Sequence, residues 1–368
     1  MTSTEQKKID EFYMRKTLSL ALRGTGTTSP NPRVGCVIVR NGEIIGRGAH
    51  LMYGQAHAEV NAVHDAKGDV RGSTVYVSLE PCSHQGKNSS CAKMLIEHKV
   101  AKVVVGIIDP NPIVNTRGLT MLENAGIEVV TGVLEEESRW LNRGFIRSMR
   151  LKRPWVTLKI AASLDGNIAL KDGSSKWITG PESREKVHIL RSENDAVLTG
   201  KGTILADDPE LTVRDTQGRT PIRVILDRKL NTPLTAKIFD EGNLIFFTTK
   251  EASEEKIRAF KDKNVKIVKL DVPKEEQISL ILQKLNEYGV NYLLVESGAG
   301  VTSSFLSSGL VDSISMFIAP KFMGNGLHCT EYLSLQNMKQ AIKLKQPKYH
   351  KVGEDLLIEG VLECSPEL

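Results

Sequence analysis

The sequence is poor in cysteine, in aromatic residues and in long apolar runs. It has 5 cysteines among 368 residues, which is too few for the disulfide framework of small secreted domains. No apolar run approaches the ~20 residues that a membrane-spanning helix needs, and the short apolar patch at 18–22 lies behind acidic residues, unlike a secretory signal. The net charge of +5 is too small to indicate nucleic-acid binding by itself. We therefore expect a cytoplasmic protein that binds neither membrane nor nucleic acid, and we interpret clustered cysteines as metal ligands.

The remaining composition is that of a soluble globular protein. Hydrophobic residues make up 40% and charged residues 25% of the chain, and its length is enough for two domains. Helix-like and strand-like patterns alternate, which predicts α/β domains. We predict one domain over residues 1–150 and a second over 151–368. The basic segment 147–153 stands immediately before Pro154 and is predicted to be a solvated linker.

The periodicity of apolar residues predicts the individual elements. In the first domain the predicted helices are 10–23, 57–66, 91–98 and 116–124, and the predicted strands are 34–40, 43–48, 74–79, 100–107 and 128–132. In the second domain the predicted strands are 155–161, 196–199, 222–226, 243–248, 265–269 and 291–296, and the predicted helices are 183–191, 254–264, 275–287 and 302–308. The tail 333–368 is predicted to add closing strands to the second sheet.

One group of residues has the composition of a zinc site. His57 precedes a predicted helix, and Cys82 and Cys91 follow farther along the chain. One imidazole and two thiolates are three protein ligands for Zn²⁺, which leaves a fourth position for water, as in catalytic zinc sites. A closed structural site is the alternative, with His84 or Cys36 as the fourth ligand.

Glu59 gives this group a catalytic interpretation. It stands two residues after His57 and is not needed as a ligand, so its carboxylate can move protons for a water-derived nucleophile. The order His-x-Glu, then Pro-Cys, is that of the zinc deaminases, which replace an exocyclic amine by oxygen. Two other functions stay open: a deaminase of nucleic-acid bases, and a zinc-stabilised structural module. Eight residues separate the two cysteines, where zinc deaminases usually have two.

These motifs resemble the RibD family of bifunctional deaminase/reductases of riboflavin biosynthesis. The resemblance rests on the segment Asn31-Pro32-Arg33-Val34-Gly35-Cys36-Val37-Ile38-Val39, on His57-Ala58-Glu59, and on Glu80-Pro81-Cys82-Ser83-His84 with Cys91. It implies that the first domain has a cytidine-deaminase-like, three-layer α/β/α fold. It also implies that this domain uses Zn²⁺ in the hydrolytic removal of the 2-amino group from a phosphorylated pyrimidine.

The same resemblance assigns substrate contacts in the first domain. It implies that Asn31 and His50 contact the pyrimidine-ribose, and that His84 and Lys87 meet the 5′-phosphate. The sequence Lys87-Asn88-Ser89-Ser90 departs from the Arg-Thr-Pro-Pro usual in the family. Lysine keeps the positive charge but lacks the bidentate fork of arginine. An enzyme in which only one of the two halves is active is therefore an alternative.

In the second domain the residues alone give a weaker signal. A glycine-containing turn, Gly298 to Ser303, follows a predicted strand and precedes a predicted helix, which is a possible phosphate cradle. Lys159 and Asp165 stand near the end of another predicted strand, and Arg191 and Arg214 could each hold a phosphate.

The resemblance extends to this domain and implies a dihydrofolate-reductase-like α/β fold that uses NADPH. It implies these cofactor contacts: Ala161, Trp177, Thr203, Asp207, Gly298, Ala299, Gly300, Val301, Thr302, Ser303 and Ser304, with Arg228 as a further position. It implies these substrate contacts: Ser175, Arg191, Leu211, Arg214 and Glu296. Lys159, Asp165 and Glu296 are the unranked candidates for proton transfer during reduction. The resemblance also suggests a homodimer.

Overall fold

The computed structural model describes residues 3–83, 90–111, 115–214 and 216–368. The chain divides into two compact units; the first ends at Lys152 and the second runs from Arg153 to Glu367. Among the described residues no helix is both long enough and apolar enough to cross a membrane.

The first unit contains a five-stranded sheet and six α-helices among its described residues. The strands are β1 Gly35–Arg40, β2 Glu43–Ala49, β3 Thr74–Leu79, β4 Lys102–Ile107 and β5 Glu128–Thr131. The helices are α1 Ser3–Ala21, α2 Ala58–Asp65, α3 Cys91–Glu97, α4 Arg117–Asn124, α5 Glu135–Leu141 and α6 Arg143–Leu151. The strand order is β2-β1-β3-β4-β5; β1 pairs antiparallel with β2 and β3, and the pairs β3/β4 and β4/β5 are parallel.

Helices cover both faces of this sheet. On one face α2, α3 and α4 contribute Ala62, Leu95 and Leu122 to a buried core. On the other face Tyr13 and Met14 of α1 pack against alternate residues of the central strands. The result is the predicted three-layer α/β/α arrangement. The predicted β1–β2 hairpin is also present, and its turn residues Asn41 and Gly42 both have the positive φ that such a tight turn requires.

Two predictions for the first unit are wrong. The helix predicted at 10–23 begins at Ser3 and ends at Ala21. The solvated linker predicted at 147–153 is largely helical, since α6 extends to Leu151. Phe145, Ile146 and Met149 lie at helical spacing and give α6 an apolar face that packs into a small core. The basic residues obscured this pattern because they are interleaved with it.

The second unit is built on a larger sheet. Its strands are β6 Trp155–Ser163, β7 Asn167–Ala169, β8 Ala196–Gly200, β9 Ile222–Leu226, β10 Leu244–Thr249, β11 Lys266–Leu270, β12 Tyr292–Glu296, β13 Ser313–Ala319, β14 Leu327–His328, β15 Leu344–Val352 and β16 Asp355–Leu362. Its helices are α7 Pro181–Glu193, α8 Lys201–Asp207, α9 Glu254–Lys261, α10 Gln277–Glu287 and α11 Ala299–Ser308. Short 3₁₀ turns in this unit cover Lys237–Phe239, Lys274–Glu276 and Met338–Gln340, and one in the first unit covers Leu22–Gly24.

Nine of these strands form one sheet in the order β11-β10-β9-β8-β12-β6-β13-β16-β15. The strands from β11 to β13 are parallel, whereas β16 and β15 join antiparallel. The closing strands predicted in the C-terminal tail are thus confirmed. The carboxyl ends of β8, β12 and β6 lie side by side, and in open α/β sheets ligands bind outside such ends.

Candidate functional site

The first unit brings the three predicted zinc ligands together. The Nδ1 atom of His57 lies 3.6 Å from Sγ of Cys82 and 3.3 Å from Sγ of Cys91. These three ligand atoms all lie within 4.8 Å of one another. One nitrogen and two sulfurs in this proximity suit the tetrahedral coordination of Zn²⁺ and leave one position open.

The local structure explains why these side chains meet. His57 is the N-cap residue of α2, and Cys91 is the first residue of α3. The backbone N–H of Cys91 donates to Sγ of Cys82 at 3.3 Å. The Cys91 thiol, this N–H and His57 together lower the pKa of Cys82, which favours the thiolate that binds metal. Of the two proposed fourth ligands, Cys36 is buried outside this group, and His84 lies outside the described residues.

Glu59 lies in the first turn of α2, next to the three ligands. It is only 3% exposed, and burial, followed by the negative charge of Cys82, raises its pKa to about 7. Its carboxylate also accepts a hydrogen bond from the thiol of Cys91. A carboxyl group whose pKa lies near neutrality can both accept and donate a proton at physiological pH.

Asn31 and His50 lie beside this centre. The Asn31 side-chain amide donates to Nε2 of His50 at 3.2 Å, while Nδ1–H of His50 donates to the carbonyl oxygen of Ala56 at 3.1 Å. The rings of His50 and His57 are 5.6 Å apart, edge to face. Burial lowers the pKa of His50, so the ring stays neutral and oriented next to His57, a predicted zinc ligand. The predicted contacts His84 and Lys87 fall outside the described residues.

Glu80, which belongs to the motif around Cys82, has a structural role that its position in the sequence does not indicate. Its buried carboxylate accepts hydrogen bonds from the backbone N–H groups of Asp109, Thr116 and Gly118, at 3.2, 3.0 and 3.0 Å. It therefore joins the strand end before Cys82 to the segment that leads into α4. One pattern in the sequence could have indicated this segment. Asp-Pro-Asn follows the apolar run of β4, which is typical of a chain that leaves the carboxyl edge of a sheet, where functional segments often lie.

In the second unit, three predicted residues form a buried charged group. Arg191 donates from Nε and Nη2 to the two carboxylate oxygens of Glu296, at 2.7 and 3.0 Å. The ammonium of Lys159 lies 3.7 Å from the same carboxylate, since Lys159 and Glu296 are paired in register on β6 and β12. Burial alone would raise the pKa of Glu296, but the charges of Arg191 and Lys159 hold it at about 2.

The glycine turn at the start of α11 faces open space. Gly298 is the N-cap residue of this helix, its N–H donates to Oγ1 of Thr203 at 3.1 Å, and a Cβ at Gly300 would meet no atom within 4 Å. A groove of about 1450 Å³ runs past this turn and past Arg228. A helix N-terminus at the end of a central parallel strand can accept the phosphates of a dinucleotide such as NADPH.

The remaining predicted residues of the second unit have the following contacts and burial. Ser175 donates to the carboxylate of Asp207 at 3.0 Å. Trp177 is 65% exposed, with the Arg184 guanidinium over its ring. Leu211 is buried. Ala161 lies on β6 two residues after Lys159, Val301, Thr302, Ser303 and Ser304 form the first turns of α11, and Arg214 is paired with Glu210.

Two families match the chain. Residues 7–107 match the cytidine and deoxycytidylate deaminase zinc-binding region, and residues 154–358 match the RibD C-terminal domain. The first match contains His57, Glu59, Cys82 and Cys91, and the second contains the charged group and the glycine turn. The predicted cofactors of the chain, Zn²⁺ and NADPH, are thereby confirmed.

Curated relatives and solved structures match almost the whole chain. The riboflavin biosynthesis protein RibD of Aquifex aeolicus is 44% identical over 355 residues, covering 96% of this chain and 98% of that protein. RibD of Escherichia coli is 39% identical, with 96% and 99% covered.

Among solved structures, Acinetobacter baumannii RibD has a TM-score of 0.89 at 37% identity, covering 97% of this chain and 99% of that one. A Thermotoga maritima diaminohydroxyphosphoribosylaminopyrimidine deaminase/5-amino-6-(5-phosphoribosylamino)uracil reductase has a TM-score of 0.85 at 38% identity, covering 96% and 99%. The cytidine-deaminase-like and dihydrofolate-reductase-like domains predicted above are thus present in one polypeptide. The chain belongs to the RibD family of bifunctional deaminase/reductases of riboflavin biosynthesis.

Proposed function

We propose that His57, Cys82 and Cys91 hold the zinc ion of the deaminase and that Glu59 is its catalytic proton carrier. The observation that carries this proposal is the buried carboxyl of Glu59 beside one nitrogen and two sulfur ligands. Zinc bound there supplies Lewis-acid activation of water. Glu59 takes a proton from the attacking water and delivers protons to the ring nitrogen and to the departing amine, which leaves as ammonia.

Asn31 and His50 orient the substrate, 2,5-diamino-6-ribosylamino-4(3H)-pyrimidinone 5′-phosphate. The hydrogen bond between them fixes both side chains next to His57. In the same proposal His84 and Lys87 bind the 5′-phosphate. A single lysine provides a charge without the two parallel N–H groups of arginine.

The second unit then reduces the ribosyl group to ribityl, giving 5-amino-6-ribitylamino-uracil 5′-phosphate. NADPH supplies the hydride, which C1′ of the ring-opened sugar accepts. The groove of about 1450 Å³, which Gly300, Val301, Ser303 and Ser304 line, supports cofactor binding by the segment 298–304. In the same proposal Thr203, Asp207, Ala161 and Trp177 complete the cofactor site. Arg191, Glu296, Ser175, Leu211 and Arg214 hold the phosphorylated substrate.

Among the three candidates for proton transfer we favour Lys159. Glu296 is ionised and held in a two-bond pair with Arg191, and Asp165 is held by Ser163, Met323 and Gly324. Burial lowers the pKa of Lys159, which eases release of its proton to the opening sugar ring.

We propose that each of the two compact units catalyses one of the two reactions. We assign deamination to residues 1–150 and reduction to residues 151–368. We further propose that the enzyme works as a homodimer in the cytoplasm, on a small phosphorylated pyrimidine and without nucleic acid. Light scattering after size-exclusion chromatography would give the mass of the particle, and a monomer at working concentration would contradict the dimer.

The test of the proposed function uses the purified full chain and the pyrimidine phosphate. Zinc content, ammonia release and oxidation of NADPH are measured on one preparation. We expect about one zinc per chain, ammonia release without NADPH, and oxidation of NADPH only after deamination. A preparation that holds no zinc and releases no ammonia would overturn the deaminase assignment. Equal rates with NADH and NADPH would overturn the cofactor preference.

A further inference from the structure

Asp165 makes a set of contacts that a proton donor would not need. Its Oδ1 accepts from the hydroxyl of Ser163 at 2.5 Å and from the N–H of Met323 at 3.1 Å. Its Oδ2 accepts from the N–H of Met323 at 3.1 Å and of Gly324 at 2.8 Å. Three donors thus engage the carboxylate, which has about four acceptor sites, and the N–H of Met323 is shared between its two oxygens. The Ser163 hydroxyl, with the two N–H groups, lowers the pKa of Asp165 to about 2.

The contacted residues belong to one loop, 320–326, between β13 and β14. This loop is joined to the segment around Asp165 by two more hydrogen bonds. The N–H of Leu164 donates to the carbonyl oxygen of Lys321 at 2.8 Å, and the side-chain amide of Asn167 donates to the carbonyl oxygen of Gly324 at 2.9 Å. The carboxylate of Asp165 therefore fixes the loop on the end of β6.

The same loop reaches segment 175–177, in which the proposed function assigns Trp177 to the cofactor and Ser175 to the substrate. The ammonium of Lys321 donates to the carbonyl oxygen of Trp177 at 3.0 Å. Two residues earlier, Ser175 donates to Asp207, and the ammonium of Lys176 donates to the carbonyl oxygen of Asp207 at 2.8 Å. Segment 175–177 is thus held by hydrogen bonds to Asp207 at the end of α8 and to Lys321 of the loop 320–326.

We propose that Asp165 is a positioning residue of the reductase: it fixes the loop 320–326 so that Lys321 holds segment 175–177 in place for the cofactor. This inference rests on the proposed function, because the role of segment 175–177 is taken from it. It gives Asp165 a positioning role instead of a role in proton transfer. It also assigns a positioning role to Lys321, which was not among the predicted site residues.

The test compares Asp165→Asn, Lys321→Met and the double variant in NADPH oxidation. Asparagine keeps one acceptor oxygen but turns an N–H₂ group towards the loop, and one lost charge-assisted hydrogen bond corresponds to about a tenfold change. We expect the KM for NADPH to rise about tenfold in each single variant. The double variant should be no worse than the single ones, since coupled residues do not have additive effects.

Asp172→Asn is the matched control. Asp172 also accepts from a serine hydroxyl and from a backbone N–H, both of Ser174, but these bonds stay within its own turn. We expect its KM and kcat to be within twofold of the unmodified enzyme. Ammonia release, measured on every variant, reports the amount of chain with an intact first unit, and the rate of NADPH oxidation at saturating NADPH reports the active fraction of the second unit.

Each other result would overturn the proposal. A fall in kcat with unchanged KM, together with the loss of one limb of the pH profile, would make Asp165 an acid or base. A fall in active fraction with unchanged KM would make it merely structural, and unmodified kinetics in Lys321→Met would remove the link through the loop. If the unmodified enzyme itself fails to oxidise NADPH, the proposed function fails instead.

Discussion

Glu59 gives the sharpest prediction for a single side chain. Replacing it by glutamine removes the proton carrier but none of the zinc ligands, so we expect ammonia release to fall on the order of 10²–10⁴-fold, the usual contribution of such a group. Zinc content and reduction of the deaminated substrate should be unchanged. Glu97→Gln is the control, because Glu97 lies on α3, the helix that carries Cys91, and its side chain is 58% exposed. Full deaminase activity in Glu59→Gln would contradict the role of this carboxyl as the proton carrier.

The pair Arg191–Glu296 predicts a pH dependence of stability. The pKa of Glu296 is about 2 in the folded chain, below its ordinary 4.5. Stability from this carboxylate is therefore fully present above about pH 4.5 and is lost as the pH falls towards 2. We expect the difference in unfolding free energy between the unmodified chain and Glu296→Gln to shrink over this range. Denaturant unfolding at several pH values measures it.

A substitution at an exposed carboxylate serves as the control for the pH dependence predicted for Glu296. Glu254 pairs with Lys269, but its side chain is 70% exposed, and water screens such a pair. We expect Glu254→Gln to leave the pH dependence nearly unchanged. If Glu296→Gln differed from the unmodified chain by the same amount at pH 2 and at pH 6, the pairing with Arg191 would not account for its pKa.

The packing of α2 against β2 makes one glycine critical to the zinc centre. A Cβ at Gly48 would lie 2.0 Å from the carbonyl oxygen of Ala58 and 2.4 Å from the nitrogen of Ala62. Gly48→Ala must push α2 away, and its N-cap His57 with it. We expect a loss of roughly 1–3 kcal/mol in stability, the usual cost of overpacking, with lower zinc content and ammonia release. Reduction should persist.

Gly242→Ala provides the comparison for this change. A Cβ there would meet no atom within 4 Å, and surface changes of this kind usually alter stability by less than about 0.5 kcal/mol. Normal zinc content and deaminase activity in Gly48→Ala would show that the helix can shift without moving His57.

Helices and strands were predicted well from the sequence where their apolar residues recur at a regular spacing without interruption. The predicted strands 74–79 and 222–226 agree with β3 and β9 to the residue. Helix α6 was not predicted because basic residues are interleaved with its apolar positions. Strand β13 was not predicted because Ser313 and Ser315 interrupt its apolar run, although it lies in the interior of the sheet between β6 and β16.

The candidate site was predictable to the extent that its residues carry a local pattern. His57, Glu59, Cys82 and Cys91 follow a recognisable order in the sequence, whereas the bond between Arg191 and Glu296 joins residues 105 positions apart. No local rule indicates such a pair, and only the family resemblance named both. For Asp165 the sequence was misleading. Its position near the end of a predicted strand made it a candidate for proton transfer, whereas in the structure its carboxylate binds the loop 320–326.

At the level of the complete chain, two independent sites predict complementation between variants. Glu59→Gln should reduce the deaminated substrate but not deaminate, and Lys159→Met should deaminate but not reduce. Neither should form the ribityl product from the first substrate alone. We expect an equimolar mixture to form it, because the deaminated intermediate can diffuse from one molecule to another. Product analysis with NADPH present measures this.

Metal removal tests the same independence without a mutation. A chelator that strips the zinc should abolish ammonia release and leave NADPH oxidation of the deaminated substrate intact, and added Zn²⁺ should restore the first activity. Loss of both activities on chelation, or an inactive mixture of two variants that each retain their own reaction, would contradict two separate sites.

The carboxylate of Glu80 has a consequence for evolution at the zinc centre. One anionic group satisfies three backbone N–H donors of the chain entering α4 and stands two residues before a zinc ligand. A shorter side chain at this position would leave these three donors without their shared acceptor, so we expect a change at position 80 to alter the segment entering α4 and the strand end before Cys82 together. Substitutions at Asp109, Thr116 or Gly118 should therefore be tolerated best in chains that keep an acidic residue at position 80.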